Sequence, residues 1–320
     1  MAHTDAEQFQ RNMSWVLYGK KSRDREQSFD CNTITKGQEN RMSDVTGQTF
    51  LPEAELKSLL QQGDVEEGKQ LDVLLAMVEH IGTPDPVLRD KLIYTTFYRL
   101  IIEEDRLHTE VLKDLLDLSM DHLLMKGIGE EGTDSVFTRA FTTLLMALVL
   151  GRDKEADFLS EDKIQEAADI TVEYLEQEQD VRGFVEEKGW AHSVAHAADM
   201  VDELVLNPKV DQDMFPVLLK ALWEKVLVSH HAYIHDEDER LLVPILQMIW
   251  QGMDEGEVIT LVEKLPEMLE KQKAELEEEA YWTLFFNVKT FSKTFYMKLE
   301  DYPTLSKLRD AIDRVLKELN

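Results

Sequence analysis

The 320-residue chain predicts an all-α fold of stacked antiparallel helix pairs, an irregular HEAT-like α/α superhelix, with an α/α toroid as the competing closure. Three observations carry that expectation. Only 14 Gly and 8 Pro occur, and from Leu51 onward they fall between apolar-periodic segments rather than inside them. Strand-like alternation bounded by hairpin turns is nearly absent. The punctuation also recurs, as helix, short acidic or proline-bearing turn, helix, at an irregular period of roughly 40–55 residues, near that of two-helix repeats.

The first fifty residues stand apart. They hold seven basic and seven acidic side chains, whereas 51–320 hold 28 and 57 and so account for the whole net charge of −29. Beyond a short helical pattern near Ala6–Leu17 they are rich in Ser, Asn, Gln, Thr and Gly. Residues 1–50 therefore read as a flexible or atypical extension, and 51–320 as a single all-helical repeat domain. Helices are expected over 52–62 and 67–81. The GTPDP after Ile81 leads into a helix over 86–102, with Asp85 placed to cap it. Asp105-Arg106-Leu107 opens 105–126, and the very apolar 134–150 follows. After GRDKEADFLSED, Asp162 is placed to cap 161–178. Helix 191–206 ends at NPKVDQD, where Asp213 is placed to cap 213–228. Glu239-Arg240-Leu241 marks the start of 238–251. Helices over 256–271, 273–298 (charge-laced, then aromatic) and 304–319 complete the series.

Charge and composition exclude several classes. A chain this acidic lacks the positive footprint that nucleic-acid binding needs, and its field repels anionic membrane surfaces. The longest apolar run, Ala140–Leu150, is 11 residues, short of the roughly 20 that span a bilayer. The lone Cys31 excludes an intrachain disulfide framework, and the N-terminus lacks a basic-then-apolar leader, so the expected location is cytoplasmic. No phosphate-binding GxxxxGKS loop, GxGxxG fingerprint or GxSxG elbow occurs. The expected partner is a protein or small molecule, not nucleic acid or membrane.

Chemistry concentrates in Asp180–Asp199. With Trp190–Leu206 read as a helix at 100° per residue, His192, His196, Asp199 and Glu203 share a stripe about 60° wide, while Val194, Ala198, Val201 and Val205 form the opposite, core-facing stripe. Two imidazoles at i and i+4 with a carboxylate at i+7 can present three ligands to a divalent transition metal. The same stripe can line a ligand groove, with Trp190 as platform, the histidines as donors and Arg182 as an anion clamp. A plain polar face, with the histidines bonded to neighbouring acids, is the third reading. A second cluster, His230 to Arg240, brings three histidines and four acids into a loop, where solvation alone would explain them. Arg139 opens an apolar helix against its dipole, so it is expected to meet an acid, a helix C-terminus or an anionic ligand. Arg240 joins Arg182 and Arg139 as a candidate ligand-binding cation.

GTPDPVLRDKLIY (82–94), FTRAFTTLL (137–145), RGFVEEKGWAHSVAHAAD (182–199) and DERL (238–241) together resemble an uncharacterised bacterial family known only as domain of unknown function 2785. The resemblance covers roughly 52–319. Gly189, Trp190, His192, His196 and Asp199 fit its GWAHxxAHxAD string, while Ala140 stands where the family's FxRSF pattern has Ser. It implies a soluble, all-helical bacterial protein and no established activity. Three functions remain in view. One is a ligand- or protein-binding module using Trp190, His192, His196 and Asp199. The second is a metal-dependent hydrolase in which His192, His196 and Asp199 hold the ion and Glu203 or Asp238 is general base. The third is a structural scaffold.

Overall fold

The structure, a computed structural model, describes residues 50–63 and 68–320. The expectations for 1–49, the Ala6–Leu17 helix and the flexible extension included, lie outside the described residues. Those residues form two compact units, 50–209 and 210–320, and both are all-α apart from one two-stranded hairpin.

In the first unit α1 is Glu53–Gln62 and α2 is Gln70–Glu79. Helix α3 runs over 87–103, and its flanking segments Val87–Tyr94 and Arg99–Glu103 wind in wide π-type turns. The Glu104 amide, for example, donates to the Arg99 carbonyl five residues back at 2.8 Å. Helix α4 runs over 109–123. It starts four residues later than expected because Asp105 sits in the left-handed region, φ 49°, and breaks the helical path. Then come α5 (Ser135–Ala156), α6 (Glu161–Gln177), β1 (Phe184–Val185), β2 (Gly189–Trp190) and α7 (Ser193–Val205).

Helix α5 is the axis of this unit. Every residue from Val136 to Leu150 is buried, as befits a helix apolar all round. Among the described residues it is long and apolar enough to cross a membrane, yet 83% of its most apolar window is buried inside the protein. Its main neighbour is α7, with α3 and α4 on other sides, and α6 covers α7. Gly82 lets the turn before α3 touch α5: a Cβ there would lie 2.5 Å from the Thr138 Cα, so no other residue fits without moving backbone. Asp85 caps α3 as expected, accepting from the Val87 and Leu88 amides at 2.9 and 3.2 Å. The other two expected caps are corrected. Ser160 caps α6 through the Lys163 amide, and Asp211 accepts from the Asp213 amide, because a cap precedes the first helical residue whereas Asp162 and Asp213 lie inside the first turn.

In the second unit a short 3₁₀ turn, Gln212–Met214, leads into α8 (Phe215–Val226), followed by α9 (Glu237–Trp250), α10 (Glu255–Glu263), α11 (Leu265–Glu275), α12 (Glu278–Lys298) and α13 (Ser306–Glu318). The expected single helix over 256–271 is two. Pro266 has no amide hydrogen to continue the ladder, so the chain restarts at Leu265 with the proline in the first turn. The pairs α10–α13, α12–α13 and α9–α12 build the core. A buried Asn287 on α12 pins the loop between α8 and α9. Its amide donates to the carbonyls of Val228 (2.9 Å) and His231 (2.8 Å), and its oxygen accepts from the Tyr233 amide (2.9 Å).

Candidate binding surface

A polar network fixes the segment that leads into the hairpin. Arg139, on α5, is fully buried, and Nε and Nη2 bond Glu178 at 2.6 and 2.8 Å. Its Nη1 reaches the Lys126 and Gly127 carbonyls and the Ser135 hydroxyl. The expected ligand-binding role of Arg139 is therefore corrected: its donors are consumed by an internal acid and by carbonyls near the end of α4. Glu178 also accepts from the Asp180 amide. Asp180 accepts from the Gly132 amide and from Nε and Nη2 of Arg182, whose Nη2 also reaches the Thr133 carbonyl. Arg182, expected as an anion clamp, thus ties the 130–134 loop to the strand base.

The hairpin obeys the pleat. Phe184 pairs with Trp190 and Val185 with Gly189, so each pair shares one face. The inner face packs Val185 on Val136, Phe137 and Ala191, and sets Gly189, at φ 76°, against Pro86. A Cβ on Gly189 would lie 2.8 Å from the Pro86 Cβ, so both the conformation and the space demand glycine. The outer face leaves Phe184 52% and Trp190 39% exposed. Arg89, fully buried on α3, clamps the hairpin from behind. Its Nη2 donates to the carbonyls of Lys188 (2.7 Å) and Trp190 (3.2 Å), and Nη1 donates to that of Thr83 (2.7 Å). Its guanidinium lies over the rings of Phe137 and Phe141, 4.2 and 4.8 Å from their centroids. Beside it, burial pushes the Asp90 carboxyl up to about 6 although Arg89 pulls it down.

Rings continue inward from this face. Phe184 meets Trp190 edge-on at 5.0 Å; Trp190 stacks on His192 at 4.5 Å and 24°; His192 meets His196 edge-on at 5.8 Å; His196 meets Phe141 at 5.3 Å. His192 is not helical. It precedes α7 in the left-handed region, φ 50°, held by its amide's bond to the Arg182 carbonyl (3.0 Å) and by Ser193 Oγ on the Asp180 carbonyl (2.5 Å). A non-glycine residue kept in that region stores strain, which often accompanies a working site.

The expected polar stripe is only partly recovered. Helix α7 starts at Ser193, so Trp190 and His192 leave the helical wheel, and every residue of α7 is buried. His196, Asp199 and Glu203 are 7, 5 and 3% exposed, which overturns the expectation that the stripe opens into free space. Glu203 instead meets Lys154 of α5, over Gly151, whose missing Cβ gives the carboxylate room. One residue before it, burial and the Glu203 charge push the buried Asp202 carboxyl up to about 7, with Lys154 pulling it down.

In the second unit the His230–Arg240 cluster is anchored by Asn287 rather than a freely solvated turn, and Tyr233 within it is buried. Asp238 accepts from the Thr294 hydroxyl, and Arg240 is half-buried in the first turn of α9.

Arg89 and Phe184 were not legible as site residues. Arg89 carried one signal, a cation at i of an apolar i, i+4, i+8 line with Ile93 and Phe97. Phe184 carried none, because two-residue strands give no alternation to read. No curated protein and no solved structure matches the chain. A family model described as a protein of unknown function (DUF2785) matches residues 124–297, which span α5, α6, the hairpin, α7 and most of the second unit. The GWAH segment falls inside that match, and the chain belongs to this family.

Proposed function

We propose that the protein is a binding module that engages a ligand or protein partner through the outer face of the hairpin. One observation carries this reading: Trp190 is presented outward, stacked on a backbone-strained His192, by a hairpin clamped from the core through Arg89. Large rigid aromatics supply contact area at low ordering cost. His196 packs edge-on against His192, and Arg182 fixes the base. The reading suits a soluble, cytoplasmic protein, as the single Cys31 and the buried α5 also do. The chain holds five tryptophans, so 5-fluorotryptophan labelling yields a small, assignable ¹⁹F spectrum. A library of aromatic, sugar and short-peptide fragments is then screened. Fragments that shift the Trp190 signal selectively, and fail on Trp190→Ala, are expected. A library in which none shifts it selectively would refute the reading.

A second reading, a metal-dependent hydrolase, rests on the His192 and His196 imidazoles being ring neighbours. Its general bases are already engaged, Glu203 by Lys154 and Asp238 by Thr294. Near-stoichiometric transition metal in untagged protein, lost in the His192→Ala/His196→Ala variant, would favour it over the binding module.

A further inference from the structure

We propose that the partner of the hairpin face is a cationic peptide segment, one carrying Arg or Lys beside an apolar residue. This rests on the hairpin being a binding surface and adds the chemistry of what it takes. The exposed rings of Phe184 and Trp190 are bordered by acids. Glu186 and Glu187 form the exposed hairpin turn, the latter at φ 63°. The 130–134 loop, with exposed Glu130 and Glu131, is tied alongside by Arg182 on the Thr133 carbonyl and Lys188 on Asp134. Lys188 and Arg182 are each bound to a carboxylate, and Arg89 is buried behind the hairpin. An arriving guanidinium or ammonium group therefore meets the exposed carboxylates of Glu131, Glu186 and Glu187 beside aromatic faces, whose quadrupole favours cations. An apolar neighbour on the peptide covers Phe184. The surrounding net charge of −29 speeds the encounter with a cation and repels acidic competitors.

The test uses three fluorescein-labelled 12-residue peptides, each with two Leu and four copies of Arg, Gln or Glu, followed by anisotropy against the full chain at 150 mM salt. The Arg peptide is expected to bind about tenfold or more tighter than the Gln peptide, and the Glu peptide weakest. Trp190→Ala should weaken the Arg peptide about tenfold or more, and Glu186→Gln/Glu187→Gln by a smaller factor. These residues are exposed, so circular dichroism should show unaltered folding, and Phe184→Ala provides an independent second variant. Equal binding of the Gln and Arg peptides, both lost with Trp190, would overturn the cation preference while leaving the surface reading intact. Arg-peptide binding that survives both aromatic substitutions would overturn the proposal, as it would show only diffuse attraction to an acidic chain. Failure of all three peptides to bind would overturn it as well.

Discussion

Asp202→Asn should stabilise the protein at neutral pH, and by an amount that depends on pH. The wild-type carboxyl is buried beside Glu203 and titrates near 7 when folded, against 3.8 for an ordinary aspartate. The folded chain then holds a proton that the unfolded chain releases between about pH 4 and 7, so this group makes stability fall as pH rises through that window. Below pH 4 the difference vanishes, and above pH 7 it is complete. Three pK units at about 1.4 kcal/mol each set a ceiling on the order of 4 kcal/mol. Asparagine keeps the shape and removes the charge. Urea titrations followed by circular dichroism from pH 4 to 8.5 should show variant and wild type converging at the acid end and separating towards pH 8. A difference that stays flat with pH, or a variant less stable throughout, would refute the assignment of a raised Asp202.

Further outcomes follow from three buried contacts and one exposed ring. Arg139→Ala leaves Glu178 buried without its partner, and should cost about 3–5 kcal/mol by urea denaturation. Asn287→Ala strands the Val228 and His231 carbonyls and the Tyr233 amide; a loss on the order of 3 kcal/mol is expected, with faster amide exchange at Tyr233. His196→Ala, set between Phe141 and His192, should cost roughly 2 kcal/mol, whereas Trp190→Ala should stay within about 0.5–1 kcal/mol of wild type in thermal melts.

Helix content and most helix positions were legible because the apolar residues repeat at helical spacing and the Gly and Pro residues fall between the repeats. The fully buried α5 announces itself in FTRAFTTLLMALVL. The densest candidate segment was found too, and it lies inside the family match. Its shape was not legible. A helical wheel assumes one regular backbone, and His192 departs from it at a single left-handed residue, which moves Trp190 off the helix and onto a strand. Burial of the stripe was equally hidden. Polar residues at helical spacing look solvent-facing in sequence, but Lys154 and a glycine opposite Glu203 make an internal berth for one of them. That Arg139 needs a counter-charge or a helix end was legible, but which one was not, because Glu178 lies 39 residues along the chain.

The clamp from Arg89 to the Lys188 and Trp190 carbonyls has a consequence for recognition. A tryptophan on a free loop must be frozen when a guest arrives, and that lost motion subtracts from affinity. Here the indole's backbone is bolted to the interior by a side chain itself sandwiched against two phenylalanines. If the face binds as proposed, association should therefore proceed with little reorganisation, so that a contact only a few residues wide suffices.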